Sequence, residues 1–401
     1  MSTATNTNTD TNTTINPRAN PLITILGATG TGKSALAVSL ARRFNGEIIN
    51  ADAMQMYRGL PVITNKISTD EQEGVRHHML DFIGLDEPPW TVKRFVAVAK
   101  REIEAIRSRG KLPIVASEWY KEQHEAEREK TAKDAGASGD GQEGLSGLQH
   151  DTLILWLEAE DAVLKERLNA RVDAMVAKGL LEEVLELHKE EQRFQHENVA
   201  VDKTKGIWQS IGYKELELWA TRANLPAAGD NCDREDALSK SVADGIEGVK
   251  AGTRQYAKRQ NRYIRNRFAS ALRQTQALDR LFLIDSTDIS RWSETVVPQS
   301  EKLVSAFLDG RQLPDAATLS DLAGATFARI TKQDDWRSTR VAHHCEICDK
   351  TLMGAKEWER HVTSRSHKTI IQSQRKKAAR DAFLAQRAAL VGADGAQSQP
   401  P

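Results

Sequence analysis

Apolar residues first gather at Leu22-Ile23-Thr24-Ile25-Leu26, a run too short for a helix and closed by Gly27, and then recur at helical spacing from Ser34 to Phe44. The pattern predicts a strand, a glycine-rich turn and a helix. Short apolar runs at Glu47–Ala51, Leu112–Ala116, Leu153–Leu157 and Leu281–Ile284 predict further strands, and the amphipathic stretches between them, chiefly Val92–Arg109 and Asp161–Lys189, predict helices. Strands that alternate with helices in this way specify an α/β fold built on a doubly wound parallel sheet. The periodicity fades after about residue 290.

The flanks have a different texture. Residues 1–20 are Thr/Asn-rich with almost no apolar side chain, which predicts a disordered tail, as do residues 381–401. Residues 121–150 begin as a charged helix and dissolve into a Gly/Ser/Asp-rich linker. The expected organisation is therefore a core at 21–290 interrupted near 116 and by the linker at 121–150, a connecting segment at 291–340, and a compact Cys/His unit with a basic arm at 341–380. No apolar run approaches the roughly 18 residues of a membrane span, which excludes an integral membrane protein. Residues 1–20 lack a secretory apolar core and carry Arg18 as their only basic residue, so the expected location is cytoplasmic, with mitochondrial or nuclear pools left open. Lys+Arg and Asp+Glu both number 56, so a nucleic-acid partner must be held by a local patch and not by the global field. Three cysteines cannot form a disulfide framework, and Cys232 is expected to be a plain thiol. No interface signal stands out, and a monomer is the expectation.

Four motifs carry chemistry. Gly27-Ala28-Thr29-Gly30-Thr31-Gly32-Lys33-Ser34 fits G-x-x-x-x-G-K-[ST] after a strand and at the start of a helix. In such a P-loop, Gly27, Thr29, Gly30, Thr31 and Gly32 wrap a phosphate, Lys33 reaches the outer phosphates and Ser34 can ligate Mg²⁺. The fold expected is thus P-loop NTPase-like. Asp52 follows the second strand, at the carboxyl edge where parallel sheets bind ligands. A carboxylate there can serve as a base, with Gln55 bonding a base or sugar; the same Asp also suits an N-cap of a following helix.

The segment 253–268, TRQYAKRQNRYIRNRF, has six Arg/Lys, three aromatics and no acid, including Arg254, Lys258, Arg259 and Arg262. On a helix this favours a nucleic-acid backbone contact over a merely solvated face, which would mix charge signs. Finally, Cys345-x2-Cys348-x12-His361-x5-His367 has the ligand spacing of a ββα-type C2H2 zinc finger, with Leu352 and Trp358 available as its small core. Four ligands make the Zn²⁺ structural. The basic run from Arg365 through Lys368, Arg375, Lys376, Lys377 and Arg380 continues the finger's last helix as an arm suited to nucleic-acid phosphates, or the finger serves protein contacts.

Together these residues resemble the tRNA dimethylallyltransferase (tRNA isopentenyltransferase) family in its form with a C-terminal zinc finger. The resemblance rests on LGATGTGKSALAVSLA at 26–41, NGEIINADAMQMYRGLPVITNKI at 45–67, HHMLDFIG at 77–84, RVDAMVAKGLLEEV at 171–184, QSIGYKE at 209–215, TRQYAKRQ at 253–260 and the finger, covering most of 21–370. It implies transfer of a dimethylallyl group from dimethylallyl diphosphate to N6 of the adenine 3′ of the anticodon, with tRNA's anticodon stem-loop as partner. The P-loop would hold the diphosphate, Asp52 would take the N6 proton, and Arg171 would be a second cation near the diphosphate. Gln55 and the basic helix would meet the tRNA.

Two features depart from the family. Ala53 follows Asp52 where the family has Ser. After Leu112-Pro113-Ile114-Val115 the family continues with a Gly-Gly-Thr motif, an RNA-binding helical insert and an Arg-rich element, whereas this chain passes to Ala116-Ser117-Glu118-Trp119-Tyr120, which resembles the segment beyond the insert. A chain so shortened is expected to be impaired. The competing readings are a catalytically inactive RNA-binding relative and a P-loop small-molecule kinase that carries a finger.

Overall fold

Strands that are apolar on both sides are stable only when helices cover both faces of their sheet, and this is the arrangement found. The computed structural model describes residues 20–116, 148, 150–224, 231–332, 342–376 and 378–379. Nearly all of the expected tail at 1–20, nearly all of the linker at 121–150, the tail at 381–401 and the side chain of Cys232 lie outside these residues. Strands β1 (Pro21–Gly27), β2 (Gly46–Asn50), β3 (His77–His78), β4 (Leu112–Ala116), β5 (Asp151–Glu158) and β6 (Leu281–Asp285) form one sheet in the order β3-β2-β4-β1-β5-β6. Every pairing is parallel, with Ile23 opposite Ile114, Ile48 opposite Ile114 and Gly27 opposite Leu157.

Successive side chains in a strand point to opposite faces, and the two cores separate accordingly. Ile23, Ile25 and Ile48 pack with Leu36 and Leu40 of α1 (Lys33–Arg43). Leu22 and Ile49 pack on the other side with Phe95, Ile103 and Ile106 of α2 (Val92–Ser108). The second core continues into α3 (Asp161–Ala177), α4 (Leu180–His196) and α5 (Tyr213–Ala223). The long helix α6 (Asn231–Tyr263) runs into a π-helical turn at Ile264–Phe268 and then α7 (Ala269–Gln274).

Three expectations are corrected. The helix expected over Asp161–Lys189 is two helices, because Gly179 takes φ 101°, a left-handed conformation that ends α3 and starts α4. The core does not stop at 290: α8 (Val296–Leu308) buries Val296, Leu303, Val304 and Phe307 in the α1 face, and the first compact unit runs to Ala328. These residues fall at i, i+7, i+8 and i+11, a helical stripe that Pro298 and Ser300 interrupt in sequence. A further helix, α9 (Asp321–Lys332), follows.

The second unit, Arg329–Pro401, has the expected ββα form: β7 (Ala342–Cys345) pairs antiparallel with β8 (Lys350–Met353), and α10 (Ala355–Thr363) follows. The basic arm is not a continuation of that helix. Ser364 is extended (ψ 149°), and helix restarts at residues 365–376 with Ser364 Oγ accepting from His367 N at 3.1 Å. At about 100° per residue, a ligand six positions after His361 would sit about 240° around an unbroken helix, so the x5 spacing demands the break. Lys377 and Arg380 lie outside the described residues.

Candidate functional site: a phosphate cradle facing a carboxylate

The turn after β1 folds as a P-loop because its glycines adopt backbone that other residues resist. Gly30 and Gly32 have φ 82° and 93°; a Cβ on Gly30 would meet Leu168 Cδ2 at 2.8 Å, and one on Gly32 would meet the Trp292 ring at 2.5 Å. Thr31 Oγ1 donates to Ala28 O at 2.8 Å, and Lys33 Nζ, on a side chain only 4% exposed, donates to the same carbonyl at 2.7 Å. The first turn of α1 holds no acid and its last turn holds Arg42 and Arg43, so the helix dipole presents an unopposed positive end to the loop. Ser34 is exposed at this end. The arrangement suits an anionic phosphate, with an open hydroxyl for a divalent cation.

Asp52 lies just beyond β2. Its Oδ1 accepts from Met54 N at 2.8 Å, and its own N–H donates to Asn50 Oδ1 at 3.3 Å. The carboxylate thus closes an Asx turn; a turn at 53–56 follows, not the helix that an N-cap would open. Since β4 lies between β2 and β1, Asp52 and the cradle stand two strand spacings apart, about 10 Å. That separation keeps the carboxylate off the phosphates and leaves room for a reacting centre between.

Gln55 is buried, and its Nε2 donates to Asn65 O at 3.1 Å and to Thr64 O at 3.4 Å. The side chain holds its own loop and does not point an amide N–H outward. The same loop is pinned by residues that local pattern does not reveal. Glu183 of α4 accepts from Val62 N at 2.9 Å and Ile63 N at 2.7 Å, with its carboxyl pushed above the usual range by burial. Lys66 Nζ donates to Tyr57 O at 2.6 Å and Gly59 O at 2.7 Å and pairs with Asp81.

On α3, Leu164 and Leu168 pack against Ala28 of the loop, and half-buried Arg171 continues that stripe at i+7 and i+3. The structure thus places Arg171 on the cradle side of its helix. Of the basic residues on α6, Lys258, Arg259 and Arg262 are exposed, while Arg254 is half-buried and donates to Asn169 Oδ1 of α3 at 2.5 Å. The opposite side of α6 buries Ala257, Gln260 and Asn261, and Ile264 continues that stripe at the start of the π-helical turn. Gln260 Oε1 accepts from Thr29 N of the P-loop at 2.8 Å. Below it, Arg265 pairs with Glu158, the fully buried last residue of β5. Glutamine and asparagine at two inward positions of a four-residue helical stripe are the mark that would have revealed this contact in sequence.

In the second unit, one ligand atom each from Cys345, Cys348, His361 and His367 lies within 4.8 Å of the others. Buried His361 Nε2 has no hydrogen-bond partner among the described residues, and His367 Nδ1 lies 3.2 Å from Cys348 Sγ and 3.7 Å from Cys345 Sγ. Two thiols and two imidazoles converging in this way fit a tetrahedral zinc ion. Trp358 stacks on His343 at 5.4 Å as part of the small core.

Comparison with known proteins gives the family of the chain. The sequence pattern of the IPP transferase family matches residues 55–120 and 116–267. The chain is 32% identical to human tRNA dimethylallyltransferase, over 90% of this chain and 87% of the human protein. The chain belongs to the IPP transferase family. The tRNA dimethylallyltransferase of Saccharomyces cerevisiae is 28% identical, over 89% of this chain and 93% of the yeast protein. The crystal structure of a eukaryotic dimethylallyltransferase acting on tRNA superposes with TM-score 0.72 at 25% identity, covering 91% of this chain and 100% of that one. The family match comes in two pieces that meet at 116–120, the place where the sequence departs from the family's order of motifs. No described helix is long and apolar enough to cross a membrane.

Proposed function

We propose that the chain transfers a dimethylallyl group from dimethylallyl diphosphate to N6 of the adenine 3′ of a tRNA anticodon. The observation that carries this reading is the pairing of a P-loop with Asp52 across one sheet edge, beside the exposed cations of α6. N6 attacks the allylic C1, the C1–O bond to the diphosphate breaks, and the N6 proton passes to the Asp52 carboxylate. An allylic carbon tolerates positive charge, so most of the acceleration comes from holding the departing diphosphate with loop amides, Lys33 and Arg171. Ser34 would hold Mg²⁺, which when bound neutralises diphosphate charge. The adenine must leave the anticodon stack to reach Asp52, and Lys258, Arg259 and Arg262 grip the RNA backbone while it does. Cys345, Cys348, His361 and His367 would bind zinc and fold the finger, whose basic arm adds RNA contacts. The chain acts as a monomer in the cytoplasm.

The place of β4 bears on how well this works. Ala116 ends the strand between β1 and β2, so the family's Gly-Gly-Thr segment and insert would begin between the carboxylate and the cradle. Lacking them, the chain is expected to turn over slowly. Mass spectrometry of nucleosides from an anticodon stem-loop, after incubation with dimethylallyl diphosphate and Mg²⁺, tests the reading. The expected product is N6-dimethylallyladenosine, formed faster when the Gly-Gly-Thr segment is restored. RNA binding with no product in either form would favour an inactive RNA-binding relative, and phosphoryl transfer from ATP would favour a kinase.

A further inference from the structure

We propose that Gln260 is a positioning residue through which the RNA-facing helix sets the phosphate cradle, so that tRNA and the donor diphosphate bind with positive coupling. The inference rests on the function proposed above. Thr29 sits in irregular backbone, and its N–H donates to Gln260 Oε1 at 2.8 Å across 231 positions of sequence. Gln260 is only 3% exposed, so bulk water is a poor substitute for that acceptor, and the orientation of the Thr29 peptide is tied to the position of α6.

The tie is reinforced on both sides of the contact. One turn before, Ala257 packs in the same cluster as Ala28, Leu164 and Leu168, which lets α6 approach the loop closely. One turn after, a π-helical turn at Ile264–Phe268 coincides with the Arg265–Glu158 pair, which anchors the helix to the end of the strand beside β1. Insertions of this kind recur at working sites. Glu158 Oε2 and Asn261 Oδ1, both buried at this anchor, have no hydrogen-bond partner among the described residues, which leaves it capacity to change partners.

The other side of the same turns carries the exposed Lys258, Arg259 and Arg262. Phosphates that draw on these cations therefore act on a helix whose far side holds the cradle. A change in affinity passed one way must be passed back equally.

Calorimetry on the full chain, with inorganic pyrophosphate and Mg²⁺ as the probe and with or without an anticodon stem-loop, tests the proposal. In the unaltered chain the RNA should tighten pyrophosphate at least about fivefold, the lower end of ordinary allosteric coupling. Gln260→Leu should weaken pyrophosphate alone about tenfold and bring the coupling factor to one, with RNA affinity in the absence of pyrophosphate unchanged. Gln260→Glu, which keeps an acceptor for Thr29 N–H, should retain coupling at a lower overall pyrophosphate affinity, and it serves as the readout if the leucine variant does not fold. A coupling factor of one in the unaltered chain, or full coupling in Gln260→Leu, overturns the inference. Failure of the unaltered chain to bind pyrophosphate, or binding that survives Lys33→Ala, instead overturns the function on which it rests.

Discussion

The two ends of the sheet treat charge in opposite ways. Near the amino end of β2, Glu47 is buried and saturated: its Oε2 meets His78 Nε2 at 2.7 Å and Arg109 Nη2 at 2.5 Å, and its Oε1 meets Lys111 Nζ at 3.2 Å. His78 Nδ1 in turn meets Glu102 at 3.0 Å. At the carboxyl end, the α1 dipole points at a loop that holds no acid, Ser34 is exposed, and Glu158 and Asn261 each keep a buried oxygen without a described partner. Completed charge networks fix a fold, whereas capacity held in reserve is what a ligand can use.

The contrast can be broken at either end. The largest effect is expected from Asp52→Asn. Asparagine keeps an Oδ1 to accept from Met54 N, so the Asx turn survives and only the base is lost. The transfer rate should fall about 10²- to 10⁴-fold with pyrophosphate affinity kept and the melting temperature unchanged. A matching loss of stability would mean that Asp52 is chiefly structural.

At the other end, Glu47→Gln should leave pyrophosphate binding alone and lower stability by about 3 kcal/mol in urea unfolding, since Arg109 and Lys111 lose their common counter-ion. Burial pushes the Glu47 carboxyl up, but Arg109, His78 and Lys111 outweigh it and hold it down at about 2, against an ordinary 4.5. A carboxyl depressed in the folded state stabilises above its unfolded pKa, so this contribution should be complete above pH 4.5 and lost as pH falls toward about 2. Acid titration of the Gln variant should show a shallower loss over that window. The smallest effect belongs to Arg42→Ala, which removes an ion pair with Glu73 whose side chains are 60% and 49% exposed. It should shift stability by less than about 0.5 kcal/mol.

Much of this was legible from the chain alone, for physical reasons. β1, β4 and β5 read as strands because burial on both faces leaves unbroken apolar runs. The P-loop reads because Gly30 and Gly32 need left-handed backbone that other residues resist. The break at Gly179 was hidden because the apolar pattern continues on both sides of it, and α8 was hidden because Pro298 and Ser300 interrupt its stripe. Asp52 reads as a candidate from its place just beyond β2, and that place is where the fold puts it. Gln55 reads as a residue that bonds a base or sugar, whereas the carbonyls of Thr64 and Asn65 take its Nε2. Glu183 and Glu158 act on partners more than 100 positions away, and contacts of that reach leave no local periodicity to read; Gln260 shows only as a polar residue in an inward helical stripe.

One topological detail reaches further than its size suggests. Because β4 is an interior strand whose ladder to β1 and β2 is complete by Ala116, the chain beyond that residue can be lengthened, shortened or exchanged without altering a single strand pairing. A change of length at that point is expected to alter the chemistry performed above the sheet while leaving its strand pairings in place, so a well-folded product would be no guide to a working one.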